Sequence, residues 1–202
     1  MLKGVFVNGV GIAKSLVLLV CFLHVCYLIV GVLQGYLGAN PIESLTHTTG
    51  EWGLFFLWLA LSITPLRRLF HWNFLVHFRR MLGLCSFVYI TAHFSIFIVF
   101  DHFFFLPSIL EDIIERPYIS VGFLAFVLMI PLAITSWSVI QRKLGRYWKR
   151  LHQSVYVVAI LGVIHYWWLV KADILSPLLY GMVLLVLLGV RAYFFYRKNI
   201  RV

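Results

Sequence analysis

Apolar stretches of about eighteen residues or more recur along the 202-residue chain, and they limit its fold more than any other feature. As helices, such runs match a hydrocarbon layer about 30 Å thick. Within lipid, only helices and closed barrels satisfy all of their backbone groups. Hydrophobic residues make up 62% of the chain and charged ones 12%, a composition no ordinary soluble core absorbs. The expected fold is an all-α integral membrane protein, a six-transmembrane-helix bundle forming one domain over residues 1–202. Its spans fall at roughly 12–33, 50–66, 81–105, 118–139, 151–170 and 175–195.

The formal net charge of +10 raises the question of nucleic acid, and the placement of the charges answers against it. Arg67, Arg68, Arg79 and Arg80 fall between the second and third spans. Arg142, Lys143, Arg146, Lys149 and Arg150 fall between the fourth and fifth. With Lys3, Lys14, Arg191, Arg197, Lys198 and Arg201, fifteen of the 17 basic residues lie on one face, and only Arg116 and Lys171 lie opposite. The carboxylates Glu43, Glu51, Asp101, Glu111, Asp112, Glu115 and Asp173 all sort to that opposite face. The positive-inside rule makes the basic face cytoplasmic, with both termini inside. On this reading no carboxylate lies in the membrane interior, and the expected surroundings are membrane lipid, with no nucleic acid.

The first apolar run is too long for a signal peptide, lacks a clear cleavage site and carries His24, so it reads as a retained helix. Pro65 is expected to end the second span, Pro117 to open the fourth and Pro131 to kink it. The segment from Asp101 to Arg116 reads as a short amphipathic element at the interface. No internal repeat is detectable. Cys21, Cys26 and Cys85 form no Cys-x-x-Cys pair, so they read as small packing residues.

His93 lies in the third expected span, and His152 and His165 lie thirteen residues apart in the fifth. Histidine at bilayer depth faces protein rather than lipid and marks a functional site by default, and neutral imidazole is the commonest metal ligand. Counting from Arg80, His93 lies about 20 Å along its helix; counting from Arg150, His165 lies about 22 Å along its own. Two imidazoles at similar depth on neighbouring helices are what one haem iron needs on its two sides. His152 sits about 20 Å below His165, the separation of two haems stacked across a bilayer. Thirteen residues turn an ideal helix about 220° past whole turns, so His152 and His165 share a face only if a bulge or bend intervenes. On the third helix the level of His152 holds Arg79 and Arg80, which pair with a haem propionate or another anion but cannot ligate iron. A second haem would need another axial group, such as His77, or would be five-coordinate. His47, His71 and His102 read as surface histidines, and His24 as either a packing or a functional residue.

The segments LGANPIESLTHTTGEWGL, ITPLRR, RRMLGL, ERPYISVGF and AITSWSVIQRKLGRYWKRLHQSVYVVAILGVIHY resemble the MsrQ (formerly YedZ) family. These are haem-binding membrane subunits of the bacterial periplasmic methionine sulfoxide reductase system MsrPQ, related to ferric reductase and NADPH oxidase transmembrane domains. The resemblance implies b-type haem, one or two per chain, with His93 as the outer ligand of the third helix and His152 and His165 as the pair on the fifth. Arg79 stands where the wider superfamily has its other histidine. The resemblance also implies an association with FMN, although no flavin motif is visible here. The implied role is electron relay in the bacterial inner membrane, from the quinone pool or a cytosolic flavin reductase to the periplasmic molybdopterin reductase MsrP.

Residue-level reading supports the same class more narrowly. Bis-histidine ligation leaves no open iron position, which favours electron transfer over oxygen chemistry. No glycine-rich dinucleotide fingerprint is present, so donors and acceptors must come from partners. The alternatives are a stand-alone ferric reductase-like electron carrier with another acceptor, or a non-redox assembly or transport subunit. A metalloprotease would require His-Glu-x-x-His, which is absent.

Overall fold

The computed structural model describes residues 2–170 and 174–200, with side chains described over 9–170 and 174–197. Lys171, Asp173 and Arg201, which the charge pattern assigned to one face or the other, lie outside the described residues. Lys3 and Lys198 are described by their backbone alone.

All regular elements among the described residues are helical. They are α1 (Leu2–Gln34), α2 (Pro41–Phe70), α3 (Arg79–Ile96), α4 (Leu106–Glu115), α5 (Pro117–Ile134), α6 (Ser138–Leu144), α7 (Arg146–Leu151), α8 (Val155–Leu169) and α9 (Leu175–Ile200). Five segments are long and apolar enough to cross a membrane: Gly9–Gln34, Pro41–Phe70, Asn73–Asp101, Pro117–Ile134 and Leu175–Arg197. The remaining expected span, 151–170, is broken. A 3₁₀ turn at His152–Ser154 separates α7 from α8, and α8 has 15 residues, about 22 Å of helix. An irregularity of the helix thus does fall between His152 and His165.

Local chemistry sets several boundaries. The Asn40 side chain accepts from the Glu43 amide and Pro41 follows at the first helical position, so α2 starts earlier than hydropathy suggests. Pro65 does not end α2, which runs on to a left-handed cap at His71. A proline at 65 cannot donate to the Leu61 carbonyl, and Arg191 from α9 donates to it instead at 2.5 Å. The third span turns from α to π geometry at Phe97–Asp101. The fourth ends at Ile134, sooner than 139, after Pro131. The expected amphipathic segment is α4, with Leu106, Leu110 and Ile114 exposed and Ile109 buried.

α2 is the centre of the bundle. One face packs Leu54, Leu57, Trp58 and Leu61 against Ala125 and Met129 of α5, Val158 and Ala159 of α8, and Leu184 and Leu187 of α9. Another packs Phe56, Ala60 and Ile63 against Leu82, Cys85 and Tyr89 of α3. The closest pairings are α2 with α3 and α5 with α8. Gly53 lets α3 approach, since a Cβ there would lie 2.4 Å from Ile90 Cδ1, and Ser86 donates to the Gly53 carbonyl at 2.8 Å. α1 lies at the edge, with Leu28 its one buried hydrophobic among the described side chains.

Candidate functional site

His93 of α3 and His165 of α8 meet across the bundle with ring centres 6.1 Å apart and planes at 84°. His93 Nδ1 donates to the Thr46 carbonyl at 2.9 Å, and His165 Nδ1 donates to the Tyr118 carbonyl at 2.7 Å. Each bond fixes the tautomer and leaves Nε2 as the lone-pair nitrogen, as in a histidine that ligates a metal.

The two halves of this pair are built alike. In both, 47 residues separate the histidine from its carbonyl. In an α-helix that carbonyl also accepts from the amide four residues on, which belongs to Gly50 in α2 and Gly122 in α5. A Cβ at Gly50 would lie 3.1 Å from His93 Nδ1, and one at Gly122 only 2.7 Å from His165 Nδ1. Glycine thus opens the carbonyl to the imidazole in each half. The α2–α3 and α5–α8 pairs are in effect a structural repeat, which the side-chain sequence conceals. The likeness extends to the other end of the helices, where Leu-Ser-Ile-Thr64 and Leu-Ala-Ile-Thr135 correspond. There Thr64 Oγ1 accepts from Arg79 at 2.7 Å, and Thr135 Oγ1 lies 3.1 Å from His152 Nε2.

A cavity of about 280 Å³ surrounds the His93–His165 pair, lined mostly by apolar side chains such as Leu54, Ile90, Phe94 and Phe126. Metal–imidazole bonds of about 2.0–2.1 Å from opposite sides of one ion place ring centres about 6 Å apart, close to the observed spacing. Among the described residues no group of three or more His, Cys, Asp or Glu converges. Two histidines in an apolar cavity therefore suit an ion whose other ligands come from a macrocycle, as in haem.

His152 does not join this pair. It lies on the 3₁₀ turn, its Nε2 engaged by Thr135 and its ring against Trp148 at 4.1 Å. Arg79 and Arg80 are exposed at the same end, and His77 is exposed with Nδ1 bonded to the Phe74 carbonyl.

Two residues in the site escaped sequence reasoning. Glu51, next to Gly50, lines the cavity, and the Tyr166 hydroxyl beside His165 donates to it at 2.9 Å. A carboxylate thus stands inside a helix long enough to cross, where the charge pattern placed none. His102 is buried rather than at the surface, bonded to Ser108 and 3.4 Å from Asp112. Asp112 also pairs with Arg116 at 3.1 Å at the mouth of the cavity. Contact with the Tyr118 hydroxyl and with Asp112 holds the Arg116 guanidinium above its ordinary pKa. His24 lies between α2 and α3, bonded to Tyr89 at 2.9 Å and stacked on Trp52 at 4.0 Å.

A helical membrane bundle with two histidines facing each other across it defines a class, and residues 49–163 match the family described as ferric reductase like transmembrane component. Three relatives bear the name protein-methionine-sulfoxide reductase heme-binding subunit MsrQ. That of Herminiimonas arsenicoxydans is 48% identical over 189 residues, covering 92% of this chain and 87% of the relative. That of Ralstonia nicotianae is 46% identical over 193 residues, covering 94% and 88%. That of Xanthomonas oryzae pv. oryzae is 49% identical over 157 residues, covering 78% and 72%. The chain belongs to the MsrQ family of ferric reductase-like membrane proteins.

Proposed function

We propose that this chain is the haem-binding membrane subunit of a methionine sulfoxide reductase system and relays electrons to a periplasmic MsrP-type molybdopterin reductase. The observation that carries the reading is the His93–His165 pair, with matched Nδ1 bonds and a 6.1 Å ring separation. In it, His93 and His165 would hold one b-type haem, which would supply a one-electron couple. The protein residues orient and insulate. The Thr46 and Tyr118 carbonyls aim the imidazoles, Gly50 and Gly122 make room for them, and the apolar wall excludes water. Glu51 and Tyr166 place a hydrogen-bonded negative charge on the cavity wall.

His152 serves the fold rather than a second haem, because Thr135 and Trp148 occupy it. In place of the stacked pair of haems, the proposal is one haem per chain. The donor is the quinone pool or a cytosolic flavin reductase.

The topology proposed is six spans in the bacterial inner membrane with both termini cytoplasmic. α8 counts as the sixth because, with the turn before it, it follows α5 from Tyr118 at one end to Thr135 at the other. The basic residues gather at the Thr135 end, as the positive-inside rule requires of the cytoplasmic face.

The test is anaerobic. The chemically reduced protein is mixed with its MsrP-type partner and a methionine sulfoxide substrate while the haem band is followed. Reoxidation is expected only with both present. Reoxidation by ferric chelates at equal rate without the partner would favour the stand-alone carrier instead.

A further inference from the structure

The cavity around the histidine pair is polar at one end only. Inward from the histidines, toward the basic end of the bundle, it is lined by Leu57, Ala125, Phe126, Met129 and Val158, and Ser86 there turns its hydroxyl to the Gly53 carbonyl. Toward the acidic end it is lined by Thr46, Glu51, Asp101, Asp112, Arg116 and Tyr118. Arg116 is the one Lys or Arg among the lining residues. The charge sorting that gathers the other described bases at the opposite end gives no reason for a base here.

Its contacts within the chain do not account for it either. Arg116 pairs with Asp112 through Nε at 3.1 Å, but its side chain is 55% exposed, where such a pair contributes little. That pairing leaves the two terminal nitrogens as a fork of the kind that matches a carboxylate. The Tyr118 hydroxyl touches the guanidinium and retains its own proton to donate. Arg116 also caps α5, whose amino-terminal dipole adds positive potential at the mouth of the cavity. Two residues on, the Tyr118 carbonyl holds His165 Nδ1 at 2.7 Å, so this base stands close to the imidazole. By contrast Arg79, at the basic end, precedes His93 by fourteen residues, about 21 Å along α3.

A porphyrin between His93 and His165 would bring two carboxylates of its own. In the inward half of the cavity they would be buried among apolar side chains without a partner, which is costly. We propose that Arg116 holds one haem propionate at the mouth of the cavity, so that the porphyrin lies with its carboxylate edge toward the acidic end and its hydrocarbon edge toward Met129 and Val158. The proposal rests on the haem reading above. Glu51, Asp101 and Asp112 line the same end, so a further carboxylate arriving among them meets like charge and depends on this one base. Arg116 is thus a positioning residue, fixing which way round the porphyrin sits.

The experiment is resonance Raman spectroscopy of the purified, haem-loaded chain, with the rate of haem transfer to excess apomyoglobin measured on the same samples. In Arg116→Gln the propionate bending band is expected to shift while the spin-state and axial-ligand bands stay in place. Haem should also leave about tenfold faster, as for the loss of one charge-assisted hydrogen bond. Arg116→Lys, which keeps the charge and loses the fork, should fall between the two, and the exposed control Arg142→Gln should match the wild type. An unmoved propionate band in Arg116→Gln would overturn the proposal even if haem left faster, because a merely structural role would do the same. An equal band shift in Arg142→Gln would also overturn it. Should Arg116→Gln retain too little haem for a spectrum, Arg116→Lys decides by the same band. A wild type that carries no haem would instead sink the haem reading itself, and this proposal with it.

Discussion

The histidine end and the basic end of the same four helices use one plan for opposite purposes. At the first, α2–α3 and α5–α8 each present a carbonyl, a glycine four residues later and an imidazole, and the two imidazoles face a shared cavity. At the second, Thr64 and Thr135 again correspond, but one holds Arg79 and the other His152. Symmetry kept at one end sets two imidazoles face to face, the centre proposed to hold haem. Broken at the other, it pairs an arginine with a histidine. The comparison teaches that such an imidazole pair is set by paired backbone acceptors as much as by the histidines.

The largest effect should come from removing a ligand. His93→Ala or His165→Ala should lower haem per chain at least tenfold, whereas His152→Ala should retain most of it, by visible absorption of the purified variants. Comparable losses in all three would erase the difference between the two ends. Next are the glycines. Gly122→Ala puts a methyl group 2.7 Å from His165 Nδ1, against 3.1 Å for Gly50→Ala, so haem retention should fall further in the first. An equal loss would mean that the α2 half has no more room to adjust than the α5 half.

A smaller effect concerns Glu51. Glu51→Gln should raise the haem midpoint potential in a spectroelectrochemical titration, because a nearby negative charge disfavours adding an electron. An unchanged potential would remove Glu51 from the site. Least is expected of Thr135→Val, which removes the hydroxyl's neutral hydrogen bonds to the Pro131 carbonyl and to His152, each worth about 1 kcal/mol. It should lower thermal stability slightly and leave haem content intact; loss of haem there would restore His152 as a ligand.

Much of the fold was legible because lipid demands long apolar helices, and hydropathy reports them. The boundaries were less so. Pro65 looked like a terminus because the donor that rescues the Leu61 carbonyl comes from Arg191, far along the chain. The 3₁₀ turn at His152–Ser154 left no compositional mark. Depth counting from the flanking arginines predicted that His93 and His165 would meet. It did not reveal the repeat, which resides in backbone carbonyls and missing Cβ atoms. Glu51 was hidden because charge sorting treats every acid on that side as a loop residue, although α2 extends well beyond its apolar core.

The most direct test is electron paramagnetic resonance of the oxidised, purified protein, with haem quantified per chain as its pyridine complex. One low-spin ferric haem per chain with two imidazole ligands is the predicted result. Two haems per chain, or a high-spin five-coordinate signal, would contradict a single centre held between His93 and His165.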